Sequence, residues 1–319
     1  MRKIFSVIIT LVFLIGPAAP VSAAGPPGLD TAVSRAASYV RNNVRSPGVG
    51  SEWAVLGLAR SSQNIPDRYF RSYFRAVERH VREQGGALDE RRITEHSRVI
   101  IALTAAGFNP RDVAGFDLTL PLGDFERTIW QGVNGAIFAL LALDSLDYPI
   151  QGQATREMYV AEILRQQQSD GGWALSGDAG DADITGMALQ ALAKYQNNPD
   201  VAAATERALS FLSRIQRSDG GFSSRFAGNQ PTLESSVQVL VALTELGISM
   251  DDSRFIKNGN TVLGNVLSFQ NRDGSFSHTQ NNSESNLMAT QQALYGLVAA
   301  QRAAAGKNSL YRMSDRAER

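Results

Sequence analysis

The sequence predicts an all-α protein, a single α6/α6 toroid of six helical hairpins. Three observations predict this fold class. Three segments between about 160 and 305 repeat one order of helix, glycine turn, loop and second helix. The second helix of each copy is apolar on all sides, as in VQVLVALTEL, which is typical of a helix buried all round. Three more apolar segments of this kind precede the clear copies. We therefore expect the second helices to form an inner ring and the first helices an outer ring.

The three clear copies begin at Leu164, Leu212 and Val266, with the turns QQSDGGW, QRSDGGF and QNRDGSF. The first helix of each copy ends near a glutamine, and the glycines after it supply the left-handed residue that closes a helix. Gln167, Gln216 and Gln270 recur at this one place, 49 and 54 residues apart. Because they recur in every clear copy, we interpret these glutamines as structural.

The upstream copies are degenerate. Inner helices are predicted within 51–62, 95–108 and 131–146, with outer partners near 30–44, 67–84 and 111–128. The last partner is the weakest, because Pro121 and Gly123 interrupt it. Six hairpins can close into a ring, which removes the exposed ends of an open solenoid, the alternative architecture.

The chain divides into a predicted signal peptide (1–24), the toroid (25–305) and a polar C-terminal tail (306–319) that we expect to be peripheral. The sequence starts with a basic MRK, an apolar run over 4–16 and the small residues of a cleavage site. We expect a secreted bacterial protein, extracellular or cell-wall associated, without a membrane span after cleavage. The chain has no cysteine, which excludes disulfides and thiolate metal sites. Its 31 basic and 31 acidic residues give no sign of nucleic-acid binding.

The glutamine and glycine turns resemble the Gln-x-x-Asp-Gly-Gly-aromatic pattern of the prenyltransferase and squalene-cyclase (squalene oxidase) repeat family. The resemblance is clear over 160–305 and weak before it, and it implies the α6/α6 toroid. Within the family, the segments DADITGMALQALAKY and GKNSLYRMSD are most similar to exported bacterial transcobalamin-like proteins. The family holds several chemistries, so the site has to decide between them.

Two of those chemistries lack their residues here. The protein prenyltransferases of the family hold zinc with Asp, Cys and His, and complement-type thioester domains need Cys. This chain has no Cys, and His80, His96 and His278 lie in different repeats without metal-ligand spacing. We interpret the three histidines as surface or helix-end residues and predict no metal site.

A class II terpene cyclase is the enzymatic alternative. Such enzymes protonate an alkene with the middle Asp of an Asp-x-Asp-Asp motif, and Asp181-Ala182-Asp183-Ile184 resembles that motif with its last acid replaced. In this reading Asp183 is the acid and Asp181 its partner. Four arguments oppose it: the missing carboxylate, a helix N-terminus that favours ionised Asp183, the single helical domain, and export away from lipid substrates.

A non-catalytic binding protein is the favoured interpretation. Inner-helix N-termini meet at one end of a toroid, where polar residues collect: Glu52, Glu95, Gln131, Asn134, Asp183, Thr185, Glu234, Ser235, Thr290 and Gln291. The resemblance to cobalamin carriers implies a cobalamin-like corrinoid as ligand, with Asp183 as the first contact. Asn134, Gln291, Thr185 and Ser235 complete the predicted ligand-binding set. The animal carriers close over the ligand with a β-rich domain, so a second β-rich chain is the expected partner.

Three plainer readings of these residues remain open. Asp183 and Ser235 could be ordinary helix caps. The acids Asp170, Asp178, Asp181 and Asp183 could hold calcium, although their spacing fits no loop template. The toroid could also be purely a protein-interaction scaffold.

Overall fold

A computed structural model describes residues 26, 28–89, 91–225, 227–281 and 283–319; the predicted signal peptide lies outside them. This part of the chain contains twelve α-helices, a few 3-10 turns and two short β-hairpins. The inner helices are α2 (Glu52–Arg60), α4 (Ile93–Ala105), α6 (Val133–Asp144), α8 (Ala182–Leu192), α10 (Leu233–Glu245) and α12 (Leu287–Ala304). The outer helices are α1 (Leu29–Asn43), α3 (Asp67–Glu83), α5 (Phe125–Ile129), α7 (Arg156–Arg165), α9 (Pro199–Ile215) and α11 (Val262–Ser268). The hairpins pair β1 (Ser223–Ser224) with β2 (Gln230–Pro231) and β3 (Ile256–Lys257) with β4 (Asn260–Thr261), both antiparallel.

The inner helices form a closed ring. Each packs on the next, in the order α2, α4, α6, α8, α10 and α12, and α12 packs back on α2. Their apolar side chains are buried on all sides, as the sequence predicted. The α6/α6 toroid is therefore confirmed, and the open solenoid is wrong.

The repeated glutamines join neighbouring hairpins. Gln167 Nε2 donates to the carbonyl of its own turn residue Gly171 (2.8 Å) and to the carbonyl of Ala204 in the next outer helix (2.9 Å). Gln270 makes the corresponding bond to Ala32 in α1 (3.0 Å), which links the last hairpin to the first. Gln216 makes the corresponding bonds to Gly220 and Phe255. These contacts support the structural interpretation of all three glutamines.

The third outer element is short, as its interrupting residues predicted. A 3-10 turn over Leu120–Gly123 precedes α5, which has only 5 residues. A Cβ atom on Gly123 would lie 1.7 Å from the Gln151 carbonyl oxygen, so only glycine allows this approach of two backbone segments.

The C-terminal tail is not peripheral, contrary to our expectation. Leu310 and Met313 are fully buried. The buried Arg60 guanidinium donates to the Leu310 carbonyl (3.1 Å) and forms an ion pair with Asp315 (2.7 Å). Residues 306–319, called here the C-terminal strap, therefore run along the toroid end where the inner helices finish.

The strap contacts several inner helices in turn. Glu245 at the end of α10 accepts hydrogen bonds from the Ser309 hydroxyl and the Tyr311 amide. The Met313 amide donates to the carbonyl of Ser145, just after α6, and Arg319 forms an ion pair with Asp67 of α3. The polar composition of this segment reflects these bonds.

None of the helices in the described ranges has the length and apolar character that crossing a bilayer requires.

Candidate functional site

The candidate site lies at the opposite end of the toroid, at the first turns of the six inner helices, called here the rim. The strap covers the other end of these helices, so the rim is the face on which a ligand can approach their N-termini. A helix N-terminus leaves backbone N–H groups without intrahelical partners and attracts acceptors and negative charge. The side chains at the rim determine which of these groups remain available.

Asp181, and not Asp183, is the cap of α8. Asp181 Oδ1 accepts from the amides of Asp183 (2.9 Å) and Ile184 (3.4 Å), and Oδ2 accepts from the Arg225 amide (3.0 Å). The capping explanation considered for Asp183 therefore applies to its neighbour two residues earlier. The Asp183 carboxyl therefore does not cap α8.

The Asp183 carboxyl is partly buried, and its Oδ1 is inaccessible to solvent and has no hydrogen-bond partner among the described residues. Burial and then the nearby charge of Asp181 raise the pKa of Asp183 to about 6. Glu234 acts in the same direction, while hydrogen bonds from Ser235 and Ser224 oppose the rise. Burial thus outweighs the helix N-terminus, which we expected to hold Asp183 ionised.

Asn134 and Gln291 share this property with Asp183. Asn134 Oδ1 and Gln291 Oε1 are also shielded from solvent and lack a partner in the described part of the chain. Asn134 and Asp183 stand in the first turns of α6 and α8, and Gln291 stands in the second turn of α12. A buried acceptor without a partner costs about 1–3 kcal/mol, so such atoms in a native structure require an explanation.

Ser235 and Thr185 have different environments from the one predicted. Ser235 is fully buried beside Asp183, and its Oγ lies 2.6 Å from the Thr232 hydroxyl. Thr185 is fully buried, and its hydroxyl accepts from the Trp173 amide (2.9 Å) and donates to the Trp173 carbonyl (3.3 Å).

Thr185 therefore joins the inner helix to the preceding turn, and we reassign it from ligand contact to structure. Ser236 and Thr290 make the same bond, to the amides of Phe222 and Phe276. Ser235 supports the Asp183 carboxyl and does not reach solvent.

A chain of side-chain amides next to Asp183 was not predicted from the sequence. Gln190 donates to Gln238 Oε1 (3.0 Å), and Gln238 donates to the Tyr295 hydroxyl (2.7 Å). Tyr295 in turn donates to Gln292 Oε1 (3.1 Å). Burial raises the pKa of Tyr295 well above its usual range, and the charges of Glu234 and Asp183 add to this effect. The network therefore lies within electrostatic reach of Asp183.

Three aromatic rings from three inner helices meet inside the ring of helices. The centroid of Trp53 lies 5.5 Å from that of Tyr295 and 6.1 Å from that of Phe138. Because α4 separates α2 from α6 around the ring, the contact of Trp53 with Phe138 crosses the interior. The signal in the sequence is one aromatic residue in each of three apolar inner helices, which our sequence analysis did not single out.

On the side of the rim formed by α2 and α4, the side chains of Glu52, Glu95 and Arg98 form a charged cluster. Arg98 forms an ion pair with Glu95 and lies close enough to Glu52 to favour its ionised form. Burial nevertheless raises the pKa of Glu52, whose Oε1 accepts from the Gly50 amide (2.8 Å). On the other side, His278 Nδ1 lies 2.8 Å from Glu234 Oε2.

One histidine contradicts our expectation. His96 is fully buried, its Nε2 accepts from the Leu88 amide (3.2 Å), and burial lowers its pKa to about 4. It is thus a neutral core histidine. The described residues contain no group of three His, Asp or Glu side chains that could hold a metal ion. Asp170, one of the acids considered for calcium, accepts from the amides of Gly172 and Gly180.

Comparison with known proteins agrees with this architecture. Residues 175–309 match the sequence model of the family described as the squalene-hopene cyclase C-terminal domain. Over this part of the chain, the match agrees with the resemblance of the glutamine and glycine turns to the prenyltransferase and squalene-cyclase repeats. No curated protein sequence matches the chain significantly. A closer relationship to transcobalamin-like proteins, expected from the sequence, has no support in these matches.

Solved structures of low sequence identity share the fold. The type II terpene cyclase MstE from Scytonema is 12% identical, with a TM-score of 0.55, and the match covers 87% of this chain and 100% of that one. The unsaturated glucuronyl hydrolase from Bacillus sp. GL1 is 14% identical, with a TM-score of 0.58, covering 90% and 100%. A polysaccharide lyase is 12% identical, with a TM-score of 0.53, covering 86% and 96%.

These matches correct one of our arguments. We held the single helical domain against cyclase activity, but a chain described as a type II terpene cyclase is matched over its full length by this single toroid. One toroid is thus enough for a protein of that description, so an enzymatic role is plausible for this fold. At these identities the matches show the fold alone, and the site has to carry the choice of function.

Proposed function

We propose that this protein is a non-catalytic binding protein that holds a small molecule at the rim. The observation that carries the proposal is the presence of three buried acceptor oxygens without partners on the inner helices, Asn134 Oδ1, Asp183 Oδ1 and Gln291 Oε1; Gln216 Oε1, at the end of an outer helix, also lacks a partner. A ligand that donates hydrogen bonds to all three would remove an energetic cost that the free protein bears.

The acceptors define the chemistry of the ligand. Amide oxygens accept and cannot donate, so Asn134 Oδ1 and Gln291 Oε1 require N–H or O–H groups. Asp183, with a pKa raised to about 6, is mostly ionised at neutral pH and then accepts as well. A ligand with several primary amides around a flat apolar body fits such a site. Corrinoids have this composition, and we name a cobalamin-like corrinoid as the first ligand to test.

A second polypeptide closes the site in this proposal. Five of the exposed large apolar side chains lie at the starts of inner helices or in the segments leading into them: Val49, Trp130, Leu175, Leu287 and Met288. Trp130 is 63% exposed and Met288 50%. Exposed apolar groups around a polar site are typical of an interface. We propose a β-rich partner here, and an exported location for the pair, as the N-terminal sequence indicates.

The test is an equilibrium titration of residues 25–319 with cobinamide and cobalamin, followed by absorbance and calorimetry. We expect micromolar or tighter binding that weakens at least tenfold in Asp183→Asn and Gln291→Leu. Gln301→Leu is the matched control, because Gln301 lies on the same helix at the strap end, where it donates to Asp30. Equal losses in Gln291→Leu and Gln301→Leu would contradict the proposal. Failure of a folded chain to bind either corrinoid would exclude this ligand for the isolated toroid.

A class II cyclase-like enzyme is the second candidate. It is favoured by the raised pKa of Asp183, which keeps a proton on this carboxyl in mildly acidic solution, and by the aromatic rings of Trp53, Phe138 and Tyr295 in the interior. Aromatic faces stabilise cationic groups. Incubation with polyprenyl substrates and mass spectrometry of the products tests this function. Asp183→Asn should abolish turnover and leave substrate affinity unchanged, whereas in a binding protein affinity alone changes.

If the toroid is purely a protein-interaction scaffold, the same experiments should give results that differ from those of a binding protein and of a cyclase. In that case neither corrinoids nor polyprenyl compounds raise the melting temperature. Substitution of Trp130 and Met288 would then weaken capture of a partner without any effect of Asp183→Asn.

A further inference from the structure

The outer surface of α3 carries a row of arginines that the rim does not use. Arg68, Arg71, Arg75, Arg79 and Arg82 follow each other at steps of 3, 4, 4 and 3 residues, and all five are exposed. At 3.6 residues per turn, these positions fall within an arc of about 80° and extend over about 21 Å. The opposite face of the helix is buried through Tyr69, Phe70, Tyr73, Val77 and Val81.

Most of this row lacks ion pairs among the described residues. Arg71 lies 3.8 Å from Asp67, but Asp67 also pairs with Arg319 at 2.9 Å. No other arginine of the row forms an ion pair with a described acidic residue. Like charges three and four residues apart destabilise a helix, and Glu78, three residues after Arg75 and four before Arg82, offsets only part of this cost. The chain as a whole has no net charge, so its composition does not account for a concentrated row.

The row also forms one side of a groove. The loop of Ser46, Pro47 and Gly48 faces α3 across a cavity of about 410 Å³, lined by four of the five arginines. A groove with charge along its length fits a linear ligand better than a flat one. In the described part of the chain, none of the exposed large apolar side chains lies on α3, so the helix offers nothing to insert into a bilayer.

We propose that this groove binds a linear polyanion with a phosphate group on every repeat, along α3. Guanidinium groups pair with phosphate oxygens through two parallel hydrogen bonds, and neighbouring arginines at this spacing lie about 5–6 Å apart at their Cβ atoms. A polymer with a charge on every repeat engages several arginines at once. For an exported protein, such a site attaches the toroid to an anionic polymer outside the cell and leaves the rim free.

The test measures binding of long-chain polyphosphate to residues 25–319 as a function of salt. With five contacts, affinity should fall about 100-fold between 50 and 200 mM salt. The triple variant R75Q/R79Q/R82Q should reduce this fall to about 7-fold and weaken binding at low salt. Glutamine keeps a good helix propensity, so circular dichroism and Tm should not change.

The control variant R165Q/R217Q/R272Q removes three positive charges from other exposed positions and should bind like the wild type. Equal loss in both triple variants would overturn the proposal, since it would reduce the effect to net charge. Equal affinity for tripolyphosphate and for the long polymer would also overturn the proposal. Such a result needs only one small anion site and not a row of arginines. Tighter binding of heparin than of polyphosphate would indicate a sulfated polymer and contradict the phosphate proposal. Binding to anionic vesicles without binding to soluble polymer would show that the ligand is a membrane surface, which would also overturn the proposal.

Discussion

The two ends of the toroid differ in how their buried polar groups are bonded, although Arg316 Nε in the strap also has no partner among the described residues. At the strap end, the Arg60 guanidinium has four partners, three carbonyls and the Asp315 carboxylate, and Glu245 accepts from a hydroxyl and an amide. At the rim, Asp183 and Gln291 keep buried acceptor atoms without partners. Both ends are formed by the same six helices, so helix packing does not require the difference.

We interpret this difference as one between a structural end and a candidate site. Satisfied buried polar groups make one arrangement of the chain more stable than its alternatives, whereas unsatisfied ones are tolerated where a ligand completes them. The repeated hydroxyls show the same division within the rim. Thr185, Ser236 and Thr290 are bound to backbone amides, while the acceptors on neighbouring positions are left open.

The largest expected effect comes from removing the Arg60 side chain, which holds the strap. Arg60→Ala leaves three buried carbonyls without their donor and leaves the Asp315 carboxylate paired with Arg302 alone, so we expect a loss of about 3 kcal/mol in the free energy of unfolding. Urea denaturation followed by circular dichroism measures it. Lys307→Ala is the control within the same segment, because Lys307 is exposed, and it should change stability by less than about 0.5 kcal/mol. A loss below about 1 kcal/mol for Arg60→Ala would contradict a structural role for the strap.

The second test uses the pH dependence of stability in Asp183→Asn. The folded pKa of Asp183, about 6, lies above its usual value of 3.8, so the wild type resists ionisation in the folded state. Its contribution is fully present below about pH 4 and is lost as the pH rises through 6. Relative to the wild type, Asp183→Asn should gain on the order of 2–3 kcal/mol between pH 4 and pH 7.5. A pH-independent difference between the two proteins would show that Asp183 is not held in a desolvated site.

The third test compares two buried glutamines. Gln216→Leu removes hydrogen bonds to the Gly220 and Phe255 carbonyls and should cost about 2 kcal/mol. Gln291→Leu removes an acceptor without a partner and should leave stability unchanged or raise it by up to about 1 kcal/mol. Thermal unfolding of both variants measures the difference. A larger loss at Gln291 than at Gln216 would contradict our interpretation that the Gln291 oxygen has no partner in the free protein.

The smallest expected effect distinguishes structural residues of the rim from ligand-binding residues. Thr185→Val keeps the shape of the side chain but leaves the buried Trp173 amide without its partner, which should cost about 1–2 kcal/mol. Affinity for whichever ligand binds at Asp183 should remain within a factor of two or so of the wild type, since the Thr185 hydroxyl faces the turn. A marked loss of affinity without a loss of stability would return Thr185 to the ligand-binding set.

The sequence by itself determined the ring of hairpins, the weak third outer element and the structural glutamines. These features depend on local signals that recur along the chain: an apolar helix of constant character, a glycine turn, a proline that interrupts a helix. It also singled out Asp183 and Asn134, the first polar side chains of two apolar helices, and Gln291, which follows Thr290 in a third.

Only the tertiary structure decided what each of those residues does. Asp181 caps α8, and its second oxygen is taken by Arg225, 44 residues away. The pKa of Asp183 depends on Ser235 and Glu234 from the next inner helix. The strap is buried because it packs against Arg60, which lies about 250 residues earlier in the sequence. Burial and hydrogen-bond partnership are properties of neighbours in space, and in a closed ring those neighbours come from other repeats.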